Sequence, residues 1–300
     1  MNAQKVVVAG ASGLIGRALV EALRADGVHV TTLVRDTPRS PTEVLWPPGL
    51  EPLDPAVLEG ARALVVLNGA SIGRVPWTRS YRRTLWESRL IPTRVAATAV
   101  RAVGAGGPAL ISASGVGYYG SSPGEVLTEA SPPGSTFLAR LCVAWEAEAA
   151  LAGPGARVAT LRTAPIVHPE GVLKPLILLT RLGVGGPIGR GTQVWPWISL
   201  DDEVRAIRHV IDHDIAGPVN LAGPTPATAN DLGRALARRL NRPFLIPAPE
   251  FALNALLGRD TAESVLTSDA DVRPERLLAE GFEFRHRTVE EAVEAALEAN

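Results

Sequence analysis

The chain has 300 residues, 46% of them apolar and 20% charged, and 30 Lys and Arg stand against 31 Asp and Glu for a net charge of −1. That composition can bury a full-sized core, and without a basic block neither nucleic acid nor an anionic membrane surface is an expected partner. One cysteine, Cys142, excludes an internal disulfide and a thiolate metal cluster, so no metal is expected.

The first element is an apolar run, Val6-Val7-Val8-Ala9, that feeds Gly10-Ala11-Ser12-Gly13-Leu14-Ile15-Gly16. An amphipathic run carrying Leu14, Ala18, Leu19, Ala22 and Leu23 follows, giving strand, tight turn and helix. Gly10 permits the sharp turn, Gly13 has no side chain to hold a diphosphate off the backbone, and Gly16 lets the helix approach the sheet. The free N–H groups and positive dipole end of the helix face the phosphates, with the Ser12 hydroxyl as a further donor. Spaced in this way between a strand and a helix, the three glycines predict dinucleotide binding. A strand beginning by Lys5 leaves no room for a signal peptide, and no apolar run reaches bilayer length, so a cytoplasmic protein is expected.

Asp26-Gly27 ends the first helix, and residues 28–34 form a second strand that stops at Arg35-Asp36. In a dinucleotide fold this strand end lies beside the adenosine ribose, where an arginine suits a 2′-phosphate; Arg35 makes NADP(H) the expected cofactor. A proline-rich connection over 38–52 holds a short strand at 44–46, and Asp54-Pro55 opens a short helix ending at Gly60. Residues 63–67 read as a buried parallel strand, whose end, Leu67-Asn68-Gly69-Ala70, should lie against the cofactor. Thr78 caps a helix to about residue 103; its Arg89 either lies on a solvated face or reaches the cofactor edge.

Residues 109–112 form the next strand and run into Ala113-Ser114-Gly115-Val116-Gly117-Tyr118-Tyr119-Gly120. A helix follows over 136–152, then a strand over 157–162 ending in Thr163-Ala164-Pro165. This alternation predicts an α/β fold, a doubly wound parallel sheet with helices on both faces. Beyond it come an apolar helix after Val172 and the glycine-rich 183–189, a pocket lid or a plain linker. Strands are predicted at 195–200, 219–221, 244–246 and 282–284, and helices capped by Asp201-Asp202, by Thr228 and by the capping box Thr288-x-x-Glu291. Residues 1–165, with 195–222 returning to the sheet, make the nucleotide-binding domain, and 166–194 with 223–300 a smaller C-terminal α/β substrate lobe.

The glycine loop, the stretch 112–120 and Trp197-Ile198-Ser199-Leu200-Asp201-Asp202, in this order, resemble the extended short-chain dehydrogenase/reductase superfamily, which includes nucleotide-sugar epimerases and dehydratases. Trp77-Thr78, Ser88-Arg89, Val116-Gly117-Tyr118-Tyr119-Gly120, Trp145-Glu146 and Gly185-Gly186-Pro187-Ile188-Gly189 are similar to its YfcH-like "epimerase family" subgroup, including that subgroup's C-terminal extension of unknown role. The resemblance implies a Rossmann sheet of about seven strands with a C-terminal lobe over bound NADP(H). The cofactor positions it carries over are Gly10, Ser12, Gly13, Leu14, Ile15, Gly16, Arg35, Leu67, Asn68, Gly69, Arg89 and Pro165. Two stretches depart from the subgroup: Asn68-Gly69-Ala70 replaces Ala-Gly-acidic, and Thr163-Ala164-Pro165 replaces Ser/Thr-Gly-Val. A proline at 165 removes a backbone donor.

Superfamily redox chemistry uses a Tyr-x-x-x-Lys pair, a phenol that exchanges a proton with the substrate oxygen beside an ammonium that lowers its pKa. Here the tyrosines are Tyr81, Tyr118 and Tyr119 and the lysines Lys5 and Lys174, so the pair is absent. Aligned on Trp145-Glu146, its places fall to Leu138 and Cys142, and Cys142 reads as a buried structural thiol. The candidate proton donors are therefore Ser114, Tyr118 or a water; His168 is expected at the protein surface near the mouth of the site. Three functions follow: an NADP(H)-dependent oxidoreductase on a small carbonyl or hydroxyl substrate, a nucleotide-sugar epimerase or dehydratase, and a non-catalytic NADP(H) sensor. A homodimer is compatible with the sequence and unmarked in it.

Overall fold

The computed structural model describes residues 5–298. Seven strands form one sheet: β1 (Lys5–Ala9), β2 (His29–Val34), β3 (Glu43–Leu45), β4 (Ala61–Val66), β5 (Ala109–Gly115), β6 (Val158–Thr163) and β7 (Gly217–Leu221). Their order is β7-β6-β5-β4-β1-β2-β3, and every pairing is parallel. The chain leaves β1 toward β2 on one side and later returns to β4 on the other, so the carboxyl ends of β1 and β4 flank the switch point where this architecture takes ligands.

Alternation along the strands sorts the core into two layers. Val6 and Val8 face α1 (Leu14–Ala25) and α5 (Leu200–Asp212), whereas Val7 and Ala9 face α2 (Arg79–Val103) and α3 (Phe137–Ala150). Helix starts follow the sequence: Thr78 Oγ1 accepts from the Tyr81 N–H, Thr136 Oγ1 from Ala139, and Asp54 opens a one-turn 3₁₀ helix, Pro55–Leu58. α4 (Leu173–Arg181), α6 (Ala229–Arg239) and α10 (Val289–Glu298) enclose a separate core around Trp195 and Trp197. Between them in sequence lie α7 (Glu250–Leu257), α8 (Arg259–Ala262) and α9 (Glu275–Ala279). Among the described residues no helix is long and apolar enough to cross a membrane.

Several expected elements take another form. Of 195–200 only Ile198–Ser199 is a strand, and it pairs with Ile166–Val167 outside the main sheet. Trp195 N–H instead donates to Ala227 and Trp197 O accepts from Gly223, so within 195–222 it is β7 that joins the sheet. Ser199, not the Asp201-Asp202 pair, caps α5 through the Asp202 N–H. Residues 244–246 form no strand: the Leu245 and Ile246 N–H groups both go to Gly185 O, and the Phe244 ring presses on α6 so closely that a Cβ at Gly233 would lie 2.5 Å from it. Residues 282–284 form no strand either, since the Phe282 ring packs against α5 beside His209 and stacks edge-on with Phe284. The glycine-rich 183–189 is no free lid: a Cβ on Gly186 would stand 2.1 Å from Ile246 O, so this glycine is what lets the two segments lie together.

Candidate active site

The glycine loop turns at the end of β1, and its glycines do different work. Gly10 has a φ of +81°, in the left-handed region, and a Cβ there would come within 2.7 Å of the Leu67 carbonyl carbon at the end of β4. A Cβ on Gly16 would meet Gly10 O at 2.3 Å, which fixes how near α1 can start. On Gly13, the residue preceding α1, it would approach only Gly10 O at 3.4 Å, so no side chain stands between the start of α1 and a phosphate, while the Gly13 N–H itself donates to Gly10 O. Ser12 is exposed, while Leu14 and Ile15 are half-buried at the helix start.

Across the crevice, Leu67 N–H bonds Ala9 O, and the Asn68 Oδ1 is buried without a hydrogen-bond partner among the described residues. A buried, unsatisfied acceptor at a strand end that flanks the switch point is what a missing ligand donor would complete. Arg89 braces this edge. Its Nη2 donates to Ala70 O at 3.0 Å, its guanidinium sits 3.0 Å from where a Gly69 Cβ would be, and Trp145 lies 5.2 Å from it. Burial lowers the Arg89 pKa from its ordinary value. Ser88 Oγ accepts the Ala70 N–H at 2.9 Å, so both polar groups of Ala70 are held by α2. Arg35 is exposed past β2 and makes no hydrogen bond or ion pair among the described residues. An unpaired arginine, an orphaned acceptor and an uncrowded glycine backbone fit a dinucleotide carrying a 2′-phosphate.

Pro165, after β6, uses its carbonyl to accept from Ile198 N–H. Beyond it, Arg17 of α1 donates twice to Glu170, at 2.8 and 3.0 Å, and once to Ser12 O, tying the glycine loop to the 168–170 turn. His168 lies in that turn, half-buried, its Nδ1 accepting the Glu170 N–H, and burial lowers its pKa.

At the end of β5 the structure assembles a polar network that sequence reasoning had not joined. Ser114 Oγ donates to Glu146 Oε1 at 2.7 Å, and Arg162 grips the same carboxylate through Nε and Nη2, each at 2.9 Å. Arg162 Nη1 donates to Tyr119 Oη at 2.9 Å, and Tyr119 donates to Asn220 Oδ1 at 2.6 Å. Its guanidinium also covers the Tyr118 ring, 3.5 Å from the centroid. Ser114 is buried and Tyr119 fully so, and burial pushes the Tyr119 phenol up to about 12; Tyr118 is half-buried and its hydroxyl has no partner among the described residues. Leu138, Cys142 and Glu146 follow one another at helical spacing on α3. Leu138 packs on Gly117, and Cys142 is buried beside Gly115 with its thiol pushed up to about 11, chiefly by burial. The one available signal was Glu146 four residues beyond Cys142; its partner Arg162 lies on a β-strand between Leu161 and Thr163, where a charged side chain invited the question of what it pairs with.

Comparison with known proteins places this geometry. The model of the NAD dependent epimerase/dehydratase family matches residues 6–222, and a domain of unknown function, DUF1731, matches 248–296. The epimerase family protein Mb2239 of Mycobacterium bovis is 40% identical over 291 residues, 96% of each chain. The crystal structure of human epimerase family protein SDR39U1 with NADPH superposes with a TM-score of 0.87 at 29% identity, covering 98% of this chain and 99% of that one. A nucleoside-diphosphate sugar epimerase from Corynebacterium glutamicum gives a TM-score of 0.79 at 31% identity, over 98% of this chain and 58% of the other. The chain thus belongs to the NAD-dependent epimerase/dehydratase family, with a Rossmann-type sheet and the DUF1731 C-terminal segment.

Proposed function

We propose that this protein binds NADP(H) and is an oxidoreductase on a small carbonyl or hydroxyl substrate, with a proton path other than Tyr-x-x-x-Lys. The observation that carries the cofactor reading is the crevice itself: Gly13 puts no side chain in front of the start of α1, and among the described residues Asn68 Oδ1 has no donor and Arg35 stands unpaired past β2. The human relative crystallised with NADPH supports it. In this reading Gly10, Ser12, Gly13, Leu14, Ile15 and Gly16 surround the diphosphate, Arg35 meets the 2′-phosphate, and Leu67, Asn68 and Gly69, braced by Arg89, line the opposite wall with Pro165 at its end. The bound nicotinamide supplies hydride chemistry; the chain binds, orients and handles the proton.

Arg35→Ala tests the cofactor reading. Losing a charge-assisted pair to phosphate costs about 1.5–3 kcal/mol, so NADPH affinity falls roughly 10- to 150-fold while NADH affinity is nearly unchanged. Fluorescence titration with both nucleotides reads this directly, and equal losses refute the 2′-phosphate role. A non-catalytic NADP(H) sensor is the second reading, favoured by two buried groups, Leu138 and Cys142, where the proton-relay pair should stand. Hydride transfer to any carbonyl in a single turnover excludes it. A cytoplasmic setting belongs to the same proposal, supported by the lone buried thiol of Cys142.

A further inference from the structure

We propose that Ser114 and Glu146 together take over the proton transfer of the missing Tyr-x-x-x-Lys pair, with Ser114 as the catalytic residue and Glu146, oriented by Arg162, acting through it as the proton's destination. The assignment rests on the oxidoreductase reading above. Its first support is placement. The helix that should carry the pair, α3, presents Leu138, Cys142 and Glu146 at successive i, i+4 positions, and the third of these reaches the serine at the end of β5. The proton function has moved one turn along the same helix.

Protonation gives the second support. The Ser114 hydroxyl already spends its proton on Glu146 at 2.7 Å, so toward any other partner Ser114 Oγ has only lone pairs to offer. Such an oxygen accepts from a substrate hydroxyl. Glu146 is nearly buried yet fully engaged, with Oε1 taking donors from Ser114 and Arg162 and Oε2 a second bond from Arg162. The bidentate grip fixes the plane of the carboxylate, and Arg162 is itself fixed by Tyr119, by the Glu129 carbonyl and by the Tyr118 ring.

The arrangement favours one direction, oxidation of an alcohol to a carbonyl. The substrate C–H bond breaks with its electron pair passing as hydride to NADP⁺, which is reduced. The substrate O–H bond breaks, its electrons forming the C=O bond and its proton going to Ser114 Oγ. In the same event the original serine proton passes to Glu146 Oε1, so the serine ends neutral and the carboxylate protonated. Charge and atoms balance without a phenol or an ammonium. Tyr118, whose ring the Arg162 guanidinium covers, serves as packing for the arginine rather than as an acid.

The test uses the full chain, NADP⁺ and a panel of primary and secondary alcohols in single-turnover absorbance at 340 nm, on wild type, Ser114→Ala, Glu146→Gln, Glu146→Asp and the double variant Ser114→Ala/Glu146→Gln. General base catalysis is worth roughly 10²–10⁴-fold, so Ser114→Ala and Glu146→Gln each lose turnover by about that factor, and the double variant is little worse than the poorer single one. NADPH affinity by fluorescence stays within about twofold of wild type, and Glu146→Asp recovers part of the rate. Glu146→Gln turning over at the wild-type rate overturns the assignment, as does a loss of NADPH binding that parallels the loss of rate, since that would mark the pair as structural. A readout independent of turnover is the ¹³C resonance of the Glu146 carboxylate, identified by its loss in Glu146→Gln. It shifts in Ser114→Ala if the two share the proton, and an unmoved resonance overturns the contact. Wild type that binds NADPH yet oxidises nothing in the panel, and reduces no carbonyl in the reverse assay, overturns the oxidoreductase reading itself and this assignment with it.

Discussion

Glu203 offers the sharpest test of the electrostatics behind the site. It sits in the first turn of α5, fully buried; Oε1 accepts the Thr163 hydroxyl at 2.8 Å, and Oε2 is buried without a partner among the described residues. Desolvation pushes this carboxyl from an ordinary 4.5 up to about 8, against which the Thr163 bond is the lesser influence. The folded protein therefore holds a proton that the unfolded chain releases between about pH 4.5 and 8, and over that window stability falls as pH rises. Each pH unit costs about 1.4 kcal/mol, or roughly 3 kcal/mol by pH 7. The helix N-terminus returns up to about 1 kcal/mol by favouring the anion, so a net effect of about 2–3 kcal/mol is expected. Glu203→Gln keeps the acceptor for Thr163 and cannot ionise. Urea unfolding of both proteins between pH 5 and 8 should show them nearly level at pH 5 and the variant increasingly the more stable toward pH 8. A constant gap, or one that widens in favour of wild type, refutes the reasoning.

Three further outcomes are expected. Gly16→Ala forces a Cβ within 2.3 Å of Gly10 O, a backbone atom that cannot swing away, so the loop distorts and NADPH binding by fluorescence is lost or weakened at least tenfold; unchanged affinity would show that the loop is looser than its geometry says. Tyr119→Phe leaves Asn220 Oδ1 without its donor inside the core, which costs about 1–3 kcal/mol of unfolding free energy, and a neutral result would mean that the network contributes no net stability. Gly186→Ala collides with Ile246 O at 2.1 Å and should lower the melting temperature and expose the 183–189 segment to protease, whereas a free lid would tolerate the change.

Much of this site was legible in the chain because its cofactor side is built from local chemistry. The glycine loop needs only its own strand and helix, and the strand ends at Leu67 and Pro165 fall on the same sheet edge once the alternation of elements sets every strand parallel. Arg89 was ambiguous in the sequence, since a long helix has several faces; the approach of its guanidinium to Gly69 and its bond to Ala70 O place it beneath the β4 edge. The expected strands at 244–246 and 282–284 show where period and propensity mislead. Their aromatic residues are apolar and strand-like, yet packing on α6 and α5 consumes the rings, and among the described residues no neighbouring strand supplies a full ladder: 244–248 meets 185–189 only through isolated bonds and one bridge.

The polar network opposite divides in the same way. The absence of a Tyr-x-x-x-Lys pair is a fact of composition, as is the single cysteine, and the order of strands and helices is enough to define a doubly wound sheet with its ligand edge. The polar network at the end of β5 joins residues 32 and 16 positions apart, Ser114 to Glu146 and Glu146 to Arg162, and extends through Tyr119 to Asn220 across another 101. No periodicity links such positions. They meet because parallel pairing lays β5, β6 and β7 side by side while α3 covers the end of β5, and only in that closed, desolvated space does a carboxylate, a guanidinium and a serine become one unit.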